Sequence, residues 1–364
     1  MISKLSIKRY PPTQNKSLQA WNASDEFILN YISEHKVENK KTVIVNDRFG
    51  YLGVHLASKK TTHLINYKSE EKALRLNFDI NGLEFDESAI VNPRSDLPKG
   101  IALGVIKVPK SIDLFDFYLA KLSENLDDNG IVLCGFMTKY FNKSMLSVAE
   151  TYFEEVEQSL AWKKSRILIL KKPKRIESAE FIQSFQFAHS VIDNVEINQY
   201  PGVFSSKSID QATQFFLDHL GVKESDEKIL DLASGNGILA LTAKSINPEA
   251  EVHLVDDSML AVESSKLNIS SANTHFHWND ILEDLENESF DLVISNPPFH
   301  FEFETNIEIS IGLFKQVHRV LKLGGRFTSV ASKHLNFKTH LEPLFSSNRI
   351  VAETSKFVVY ESVK

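Results

Sequence analysis

Short apolar runs alternate with amphipathic segments along the second half of the chain. The runs predict strands and the segments between them predict helices, because their apolar residues recur at helical spacing. The predicted strands are Lys228–Leu232, Val252–Val255, Thr274–Trp278, Phe290–Ile294 and Arg326–Val330, and the predicted helices are Ile238–Ile246, Ser258–Ile269 and Ile309–Leu321. Apolar strands separated by helices are typical of a parallel sheet covered on both faces. The pattern therefore predicts an α/β fold.

The first half of the chain repeats this order of elements more faintly. Four residues of the first half match four of the second at offsets of 187 to 195 residues: Gly50 with Gly237, Asn77 with Asn268, Pro109 with Pro298 and Gly130 with Gly325. Nearly constant offsets indicate duplication of one domain, although two unrelated α/β domains can also look alike.

A boundary between the two halves is predicted near Lys171–Arg175. There, charges and a proline follow the apolar run Arg166–Leu170 and are expected to end that strand. This gives domains at 1–175 and 176–364, with 176–200 as a connecting or leading segment.

Composition is that of an ordinary globular protein. The 364 residues are 42% hydrophobic and 24% charged, which argues against overall disorder and suits two domains. No apolar stretch is long enough to span a bilayer, and the opening residues carry no secretory signal. A single cysteine, Cys134, excludes an internal disulfide and a thiolate zinc site. These features predict a cytoplasmic protein without a membrane partner.

The charge is distributed unevenly between the halves. The whole chain carries a net charge of −7, yet residues 1–180 carry +4 and residues 181–364 carry −11. A basic face attracts phosphate backbones even on an acidic protein. A nucleic-acid partner for the first half is therefore compatible with the net charge.

An acid followed by two glycines ends the first strand of the second half. Asp231 stands at the strand tip, and Gly235 and Gly237 lead into the predicted helix. Glycines let a backbone approach a nucleotide-like ligand closely. Asp256, at the tip of the next strand, is placed to accept ribose hydroxyls. The same residues satisfy a dinucleotide-binding fingerprint, so a nicotinamide cofactor is one interpretation of this loop.

The acid itself favours a different cofactor. A carboxylate beside the glycines would repel a pyrophosphate, but it suits the amino group of a methionine moiety. A ligand with an amine, a ribose and a sulfonium but no phosphate is S-adenosylmethionine. Asp280, past the strand Thr274–Trp278, is placed to bind an adenine amino group.

Ser295-Asn296-Pro297-Pro298-Phe299 follows the predicted strand Phe290–Ile294. The prolines remove two N–H donors and leave carbonyl oxygens free to accept hydrogen bonds. With the side-chain oxygen of Asn296 they form an acceptor array for a planar exocyclic amine, on whose ring Phe299 would stack.

These motifs together resemble a known family. Asp231–Gly237 followed by Asn296–Phe299 is similar to the signature of amino-directed S-adenosylmethionine-dependent methyltransferases. Pro201–Ser205, with Asp210 beyond it, resembles the two-domain ribosomal RNA guanine-N2 methyltransferases. The opening segments, Leu5–Pro11 and Leu18–Glu26, resemble the branch that acts on 23S ribosomal RNA. One departure is Ala233-Ser234, which stands where the family has Gly-Cys.

The resemblance implies two tandem, related class I methyltransferase domains of Rossmann-like fold, the first of them degenerate. It implies methylation of the exocyclic N2 amine of one guanine in 23S ribosomal RNA by direct transfer from S-adenosylmethionine. The implied catalytic residues are Asn296, Pro297 and Phe299. The implied cofactor-binding residues are Phe204, Ser205, Asp231, Ala233, Gly235, Asn236, Gly237, Asp256, Asp280 and Asn296.

The first domain lacks these motif residues. Ile44 stands in the place of Asp231, Arg48 in that of Gly235, and Lys107 and Lys110 in those of Asn296 and Phe299. We therefore expect this domain to bind no cofactor and to contact RNA. The candidate phosphate-binding residues are Lys163, Lys164, Arg166, Lys171, Lys172, Lys174 and Arg175.

Several alternatives remain at this point. The amine could belong to a guanine of 16S ribosomal RNA, to an adenine or to a glutamine side chain. The chain could also be an RNA-binding or assembly factor that keeps a cofactor pocket, or a dehydrogenase. No metal site is predicted, because His253, His275 and His277 fall on strands where packing or surface roles are expected.

Overall fold

The computed structural model describes residues 5–37, 40–58, 60–176, 181–205, 208–297, 300–301, 304–305 and 307–364. The predicted site residues Pro298 and Phe299 lie outside the described residues. The chain divides into two compact units, Met1–Phe181 and Ile182–Lys364. Within the described residues, no helix combines the length and the apolar character that a membrane span requires.

The first unit is an α/β unit. Its strands are β1 Thr42–Val45, β2 Thr61–Leu64, β3 Ile90–Val91, β4 Ile101–Lys107, β5 Leu126–Met137, β6 Phe153–Gln158 and β7 Ser165–Pro173. Its helices are α1 Ala23–Glu34, α2 Tyr51–His55, α3 Lys68–Ile80, α4 Ile112–Asn125 and α5 Ser144–Tyr152.

The second unit repeats this arrangement after an added hairpin. Its strands are β8 Gln183–His189, β9 Ile192–Gln199, β10 Lys228–Leu232, β11 Glu251–Asp256, β12 Thr274–Trp278, β13 Phe290–Ser295, β14 His300–Phe301, β15 Glu304–Thr305, β16 Leu321–Ser332, β17 Ser347–Glu353 and β18 Phe357–Val363. Its helices are α6 Gln211–Leu217, α7 Ile238–Ile246, α8 Met259–Asn268, α9 Ile307–Val320 and α10 Lys338–Leu341.

The two large sheets have the same strand order, which confirms the predicted pair of related domains. The first sheet runs β3-β2-β1-β4-β5-β7-β6 and the second β12-β11-β10-β13-β16-β18-β17. In each sheet the strand next to last in this order, β7 or β18, is antiparallel to both neighbours. The five strands predicted in the second half pair in parallel with one another, as expected. The antiparallel strands that end each sheet were not predicted, and they arise because a short connection joins the last two strands of each unit as a hairpin.

One prediction about local structure was wrong, and another lacked detail. The charged residues after Leu170 do not end the strand, because β7 continues to Pro173 and pairs there with β5 and β6. The segment predicted at 176–200 leads into the second unit, which begins at Ile182, and its residues 183–199 include the antiparallel hairpin β8–β9, which was not predicted.

Helices cover both faces of the second sheet. Ile229 of β10 packs into a core with Leu239 and Ala243 of α7. Its neighbour Leu230 points into a second core with Phe314 and Val317 of α9. This alternation follows from the period of two residues along a strand. Burial on both faces explains why β10 is an almost continuous apolar run, and why the polar Asp231 within it stands out.

Candidate active site

The two predicted motif loops leave neighbouring strands at the same level. In the register of the parallel sheet, Leu232 of β10 lies opposite Val255 of β11 and Ser295 of β13. The Ser295 hydroxyl donates a hydrogen bond to the Leu232 carbonyl at 2.6 Å and ties the two strand ends together. Asp231, Asp256 and Asn296 are therefore gathered at the carboxyl edge of the sheet, where open α/β sheets bind ligands.

Asp231 is a completely buried carboxyl group. Its Oδ2 accepts a hydrogen bond from the Ala240 amide at 3.0 Å, while its Oδ1 has no hydrogen-bond partner within the described part of the chain. Burial raises the pKa of Asp231 to about 8, and the nearby Asp256 charge adds to this shift. A buried carboxyl group with one unpaired oxygen fits a cationic ligand group, such as the ammonium of a methionine moiety.

Gly235 lies on the open side of the glycine loop. Its backbone φ is +57°, and apart from its chain neighbours no atom of the described residues lies within 4 Å of the position that a Cβ would occupy. Its amide donates to Asp256 Oδ2 at 2.9 Å. Gly237 is different, because a Cβ there would lie 3.0 Å from Ser265 Oγ on α8. The first glycine thus leaves room for a ligand, whereas the second lets the helices pack closely.

Ala233 adopts the left-handed conformation with φ at +60°, although it is not a glycine. Its amide donates to the Val255 carbonyl at 2.8 Å, so the turn forms despite the side chain. For an L-residue this conformation costs roughly 1–2 kcal/mol. Alanine at the place of the family's first glycine therefore preserves the turn but strains it.

The side chain of Asn236 faces the protein. Its Nδ2 donates to Gln199 Oε1 at 2.8 Å, and its Oδ1 accepts from the Ile238 amide at 3.3 Å. Gln199 is completely buried and was not predicted from the sequence. Its partner lies 37 residues away, so no local pattern marks it. The side chain of Asn236 thus supports the glycine loop. Only the backbone of this residue is available to a ligand.

The other predicted cofactor residues lie around this edge. Asp256 accepts amide hydrogen bonds on both carboxylate oxygens, and burial raises its pKa to about 6. Asp280 follows β12, and its amide donates to Asn279 Oδ1. Phe204 is 69% exposed, which leaves its ring free to contact a ligand. Ser205 has a φ of +65°, and its carbonyl accepts from Gln199 Nε2 at 3.3 Å.

Asn296 is the first residue past β13, and it is partly buried. Its Nδ2 donates to Thr213 Oγ1 at 2.9 Å. The Thr213 hydroxyl in turn donates to Asp210, the N-cap of α6. Within the described residues, no hydrogen bond reaches Asn296 Oδ1. That oxygen is the free acceptor of the motif, next to the buried Pro297.

The equivalent edge of the first unit lacks both acids. Val45 of β1 lies opposite Leu64 and Ile106, as Leu232 does opposite Val255 and Ser295 in the second unit. The register therefore places Ile44 where Asp231 stands and Ile65 where Asp256 stands. Both isoleucines are buried apolar residues, so neither could bind an amine or a ribose.

The place equivalent to the open Gly235 is filled in the first unit. Arg48 is buried there, and its guanidinium lies 3.6 Å from the centre of the Tyr67 ring. A side chain thus occupies the position that the second unit leaves open for a ligand.

The seven candidate RNA-contacting residues do not form one cluster. Lys163 and Lys164 precede the first residue of β7, whereas Lys171 to Arg175 lie around its last residue. A strand of this length separates its ends by about 25–30 Å. Several of the charges are already paired within the unit: Lys163 with Glu26, Lys172 with Glu155 and Arg175 with Asp128. Arg166 donates to Gln158.

Glu251, His253 and His275 place one possible metal-ligand atom each within 4.8 Å of one another, although no metal site is predicted at these histidines from the sequence. Glu251 Oε1 lies 2.7 Å from His253 Nε2 and 3.4 Å from His275 Nε2. The Lys228 ammonium lies 3.3 Å from the same oxygen. Its positive charge would oppose a cation bound there.

The strand order and the acid–glycine loop at the edge of the second sheet define a class I, S-adenosylmethionine-dependent type of methyltransferase unit. Two family models match the chain, the RLMG N-terminal domain over residues 2–175 and the methyltransferase small domain over residues 194–361.

Curated relatives match nearly the whole chain. A ribosomal RNA large subunit methyltransferase G of Shewanella loihica is 32% identical over 99% of this chain and 93% of the relative. The ribosomal RNA large subunit methyltransferase G of Pseudoalteromonas translucida is 31% identical over 99% of this chain and 96% of the relative. The chain belongs to the ribosomal RNA large subunit methyltransferase G family.

A solved structure shares the architecture of most of the chain. It is the T. thermophilus 16S rRNA N2 G1207 methyltransferase in complex with AdoMet and guanosine. The TM-score is 0.74 with 20% sequence identity, covering 89% of this chain and 88% of the other. This likeness supports the duplicated fold.

Proposed function

We propose that the chain methylates the exocyclic N2 amine of a guanine in 23S ribosomal RNA, with S-adenosylmethionine as the donor. The observation that carries this proposal is the placement of a free amide oxygen, Asn296 Oδ1, at the same sheet edge as the half-satisfied carboxyl group of Asp231. The names of the curated relatives support the large-subunit RNA as substrate.

Three groups of the second unit would hold the cofactor. Asp231 Oδ1 would accept a hydrogen bond from the methionine ammonium, and Asp256 would accept from the ribose hydroxyls. The open space at Gly235 lets the ligand lie against the backbone. Asp280, Phe204 and Ser205 complete the pocket in this proposal. S-adenosylmethionine supplies an electrophilic methyl group on a sulfonium.

Asn296 and Pro297 would bind the substrate amine. The N2 amine of guanine is a weak nucleophile because its lone pair is delocalised into the ring. Hydrogen bonds from its two N–H groups to Asn296 Oδ1 and the Pro297 carbonyl would favour a pyramidal nitrogen with its lone pair directed at the methyl group. Positioning of this kind reaches effective molarities of up to about 10⁵–10⁸ M. The amine loses its proton after methylation, when the nitrogen has become acidic.

The base must leave its stack to reach this edge, as in other enzymes that modify bases. We assign recognition of the surrounding RNA to residues 1–175, whose sequence carries the positive charge and whose pocket is filled by Arg48. Phe299 would stack on the extruded guanine. With ribosomal RNA as the substrate, we expect the reaction to take place in the cytoplasm.

Transfer of tritiated methyl groups to unmodified 23S and 16S ribosomal RNA tests the proposal. After nuclease digestion, N2-methylguanosine is expected from 23S RNA, and N296A should lose at least about 100-fold in rate. N2-methylguanosine from 16S RNA alone would shift the substrate to the small subunit. N6-methyladenosine or methylated protein as the sole product would overturn the assignment.

A further inference from the structure

We propose that Thr213 and Asp210 are positioning residues that fix the orientation of the Asn296 amide. They would hold Nδ2 on the protein side and leave Oδ1 toward the substrate amine. This inference rests on the proposed function, because it assumes that Asn296 Oδ1 accepts a hydrogen bond from that amine.

The polarity of the hydrogen bonds sets this orientation. A threonine hydroxyl has one hydrogen, and in Thr213 it is donated to Asp210 Oδ2. Toward Asn296, Thr213 Oγ1 can therefore only accept, and it accepts from Nδ2 at 2.9 Å. The amide oxygen, which cannot donate, is excluded from that position.

Asp210 is itself anchored by the start of α6. Its Oδ1 accepts from the amides of Ala212 at 2.9 Å and Thr213 at 3.2 Å, which leaves Oδ2 for the Thr213 hydroxyl. Thr213 is buried, with 6% of its surface exposed. Burial and the cap together hold this chain of three side chains in one arrangement.

The reversed amide would be inhibitory. An asparagine rotated by 180° presents an N–H donor to a substrate amine that must itself donate. Two donors facing each other repel and leave both groups without acceptors. Without the Thr213 oxygen, the two orientations of Asn296 would differ little in energy. The productive complex would then form less often.

The first unit makes the same contact with different chemistry. Asp25 is the third residue after the N-cap of α1, as Thr213 is after the N-cap of α6. Lys107, in the place of Asn296, lies with its Nζ 2.6 Å from Asp25 Oδ2. In both units, the fold thus brings the third residue after a helix N-cap next to the first residue of the motif at the end of the central strand. An ion pair at this position in the first unit, and a hydrogen bond between the uncharged side chains of Asn296 and Thr213 in the second, are consistent with an acceptor function in the second unit alone.

The test compares T213V, which keeps the shape but removes the hydroxyl, with T213S, which keeps it. For T213V we expect kcat for methyl transfer to 23S RNA to fall about 10- to 100-fold. KM for RNA and Kd for S-adenosylmethionine should stay within about twofold, and T213S should restore most of kcat. If T213V does not fold, T213A provides the same comparison with serine.

The outcomes separate the two proposals. Wild-type protein that produces no N2-methylguanosine contradicts the proposed function. Wild-type protein that does produce it, together with T213V or T213A of unchanged kcat, overturns only the positioning role. A loss in T213V that T213S shares, with a raised Kd for the cofactor, would show a structural role and also overturn it.

Discussion

Asn77 and Asn268 occupy equivalent places in the two units and share three hydrogen bonds, to which Asn268 adds one to the Ser264 carbonyl. In the second unit, Asn268 Nδ2 donates to the carbonyls of Asn198 and Asn236, both at 2.9 Å. The Asn198 amide donates back to Asn268 Oδ1 at 2.8 Å. One side chain at the end of α8 therefore joins the segment that leads into the unit to the glycine loop of the candidate cofactor site.

Asn77 repeats this arrangement on α3. Its Nδ2 donates to the carbonyls of Lys8 and Phe49, both at 2.8 Å, and the Lys8 amide donates to its Oδ1 at 2.8 Å. The shared hydrogen bonds are present in both units, although only the second unit keeps the acids Asp231 and Asp256 of the candidate cofactor site. The equivalence provides a matched pair of variants.

We expect N268A and N77A to destabilise their units to a similar extent, by about 2 kcal/mol each, because both leave backbone groups unpaired. Only N268A should weaken binding of S-adenosylmethionine, by several-fold, since only its glycine loop carries the site. Calorimetric titration of the cofactor and thermal melts of both variants measure this. If N268A binds the cofactor as tightly as N77A does, the Asn268 side chain does not support the cofactor-binding conformation of the glycine loop.

Sequence patterns were informative where a feature repeats locally. Strands β10 and β12 and helix α7 coincide with their predicted bounds, because apolar runs and glycine turns mark them. Asn77 and Asn268 were matched because the similar tripeptides Arg75-Leu76-Asn77 and Lys266-Leu267-Asn268 end two predicted helices at nearly the common offset. The antiparallel order at the end of each sheet was missed, since strand direction depends on pairing across the sheet and leaves little trace in periodicity.

The residues of the candidate site likewise divide into those that a local pattern marks and those that it does not. Asp231, Asp256 and Asn296 stand at strand ends, where an acid or an amide after an apolar run is conspicuous. Gln199 and Thr213 were not found, because their roles depend on single hydrogen bonds to Asn236 and Asn296. These partners lie 37 and 83 residues away. A polar residue on a helix or in a loop gives no sign of such a contact.

The raised pKa of Asp231 predicts that cofactor affinity depends on pH. With a folded-state pKa of about 8, the carboxyl group is protonated at pH 6 and must lose its proton to pair with an ammonium. Affinity for S-adenosylmethionine should therefore increase by up to about tenfold per pH unit from pH 6 toward pH 8. Affinity should be greatest near pH 8 and fall above it, because Asp231 is then ionised while the ligand amine loses its proton. Titrations across this range measure the slope.

D231N is the control for this pH dependence. It keeps the shape of the side chain but has no ionisable group, so the slope should flatten and affinity should fall. In the unliganded wild-type protein, the free energy of unfolding changes with pH in the opposite direction to the cofactor affinity. Ionising the buried group is unfavourable, so its contribution to the free energy of unfolding should decrease as pH rises from about 4 to 8. If cofactor affinity depends on pH in D231N as it does in the wild type, the titrating group is not Asp231 but another group, such as Asp256.

Ala233→Gly tests the strain in the glycine loop. Glycine relieves about 1–2 kcal/mol of left-handed strain at φ +60° and loses about 0.4–1 kcal/mol through the more flexible unfolded chain. The net effect should be a stabilisation of up to about 1 kcal/mol, with cofactor affinity maintained or raised. As a control, Ala243→Gly in α7 should destabilise by at least about 1 kcal/mol, because that backbone is helical and the methyl group is buried. Denaturant unfolding of both variants makes the comparison, and destabilisation by A233G would refute the strain.

The two separated basic groups of the first unit predict unequal contributions to RNA binding. Lys163 lies 4.4 Å from the Trp162 ring centre, and the Lys164 carbonyl accepts from the Thr138 amide beside Lys139. Lysines next to aromatic rings suit unpaired RNA, which binds by phosphate contacts and stacking. We expect K163A/K164A to lower 23S RNA affinity about tenfold, and to reduce the salt slope of log K by about 1 for each phosphate that is no longer neutralised. K172A/K174A should have the smaller effect. Lys163 and Lys172 are both ion-paired within the unit, but Lys163 also lies over the Trp162 ring, which offers a stacking surface for a base. Filter binding at several salt concentrations distinguishes them, and the reverse ranking would place RNA at the opposite end of β7.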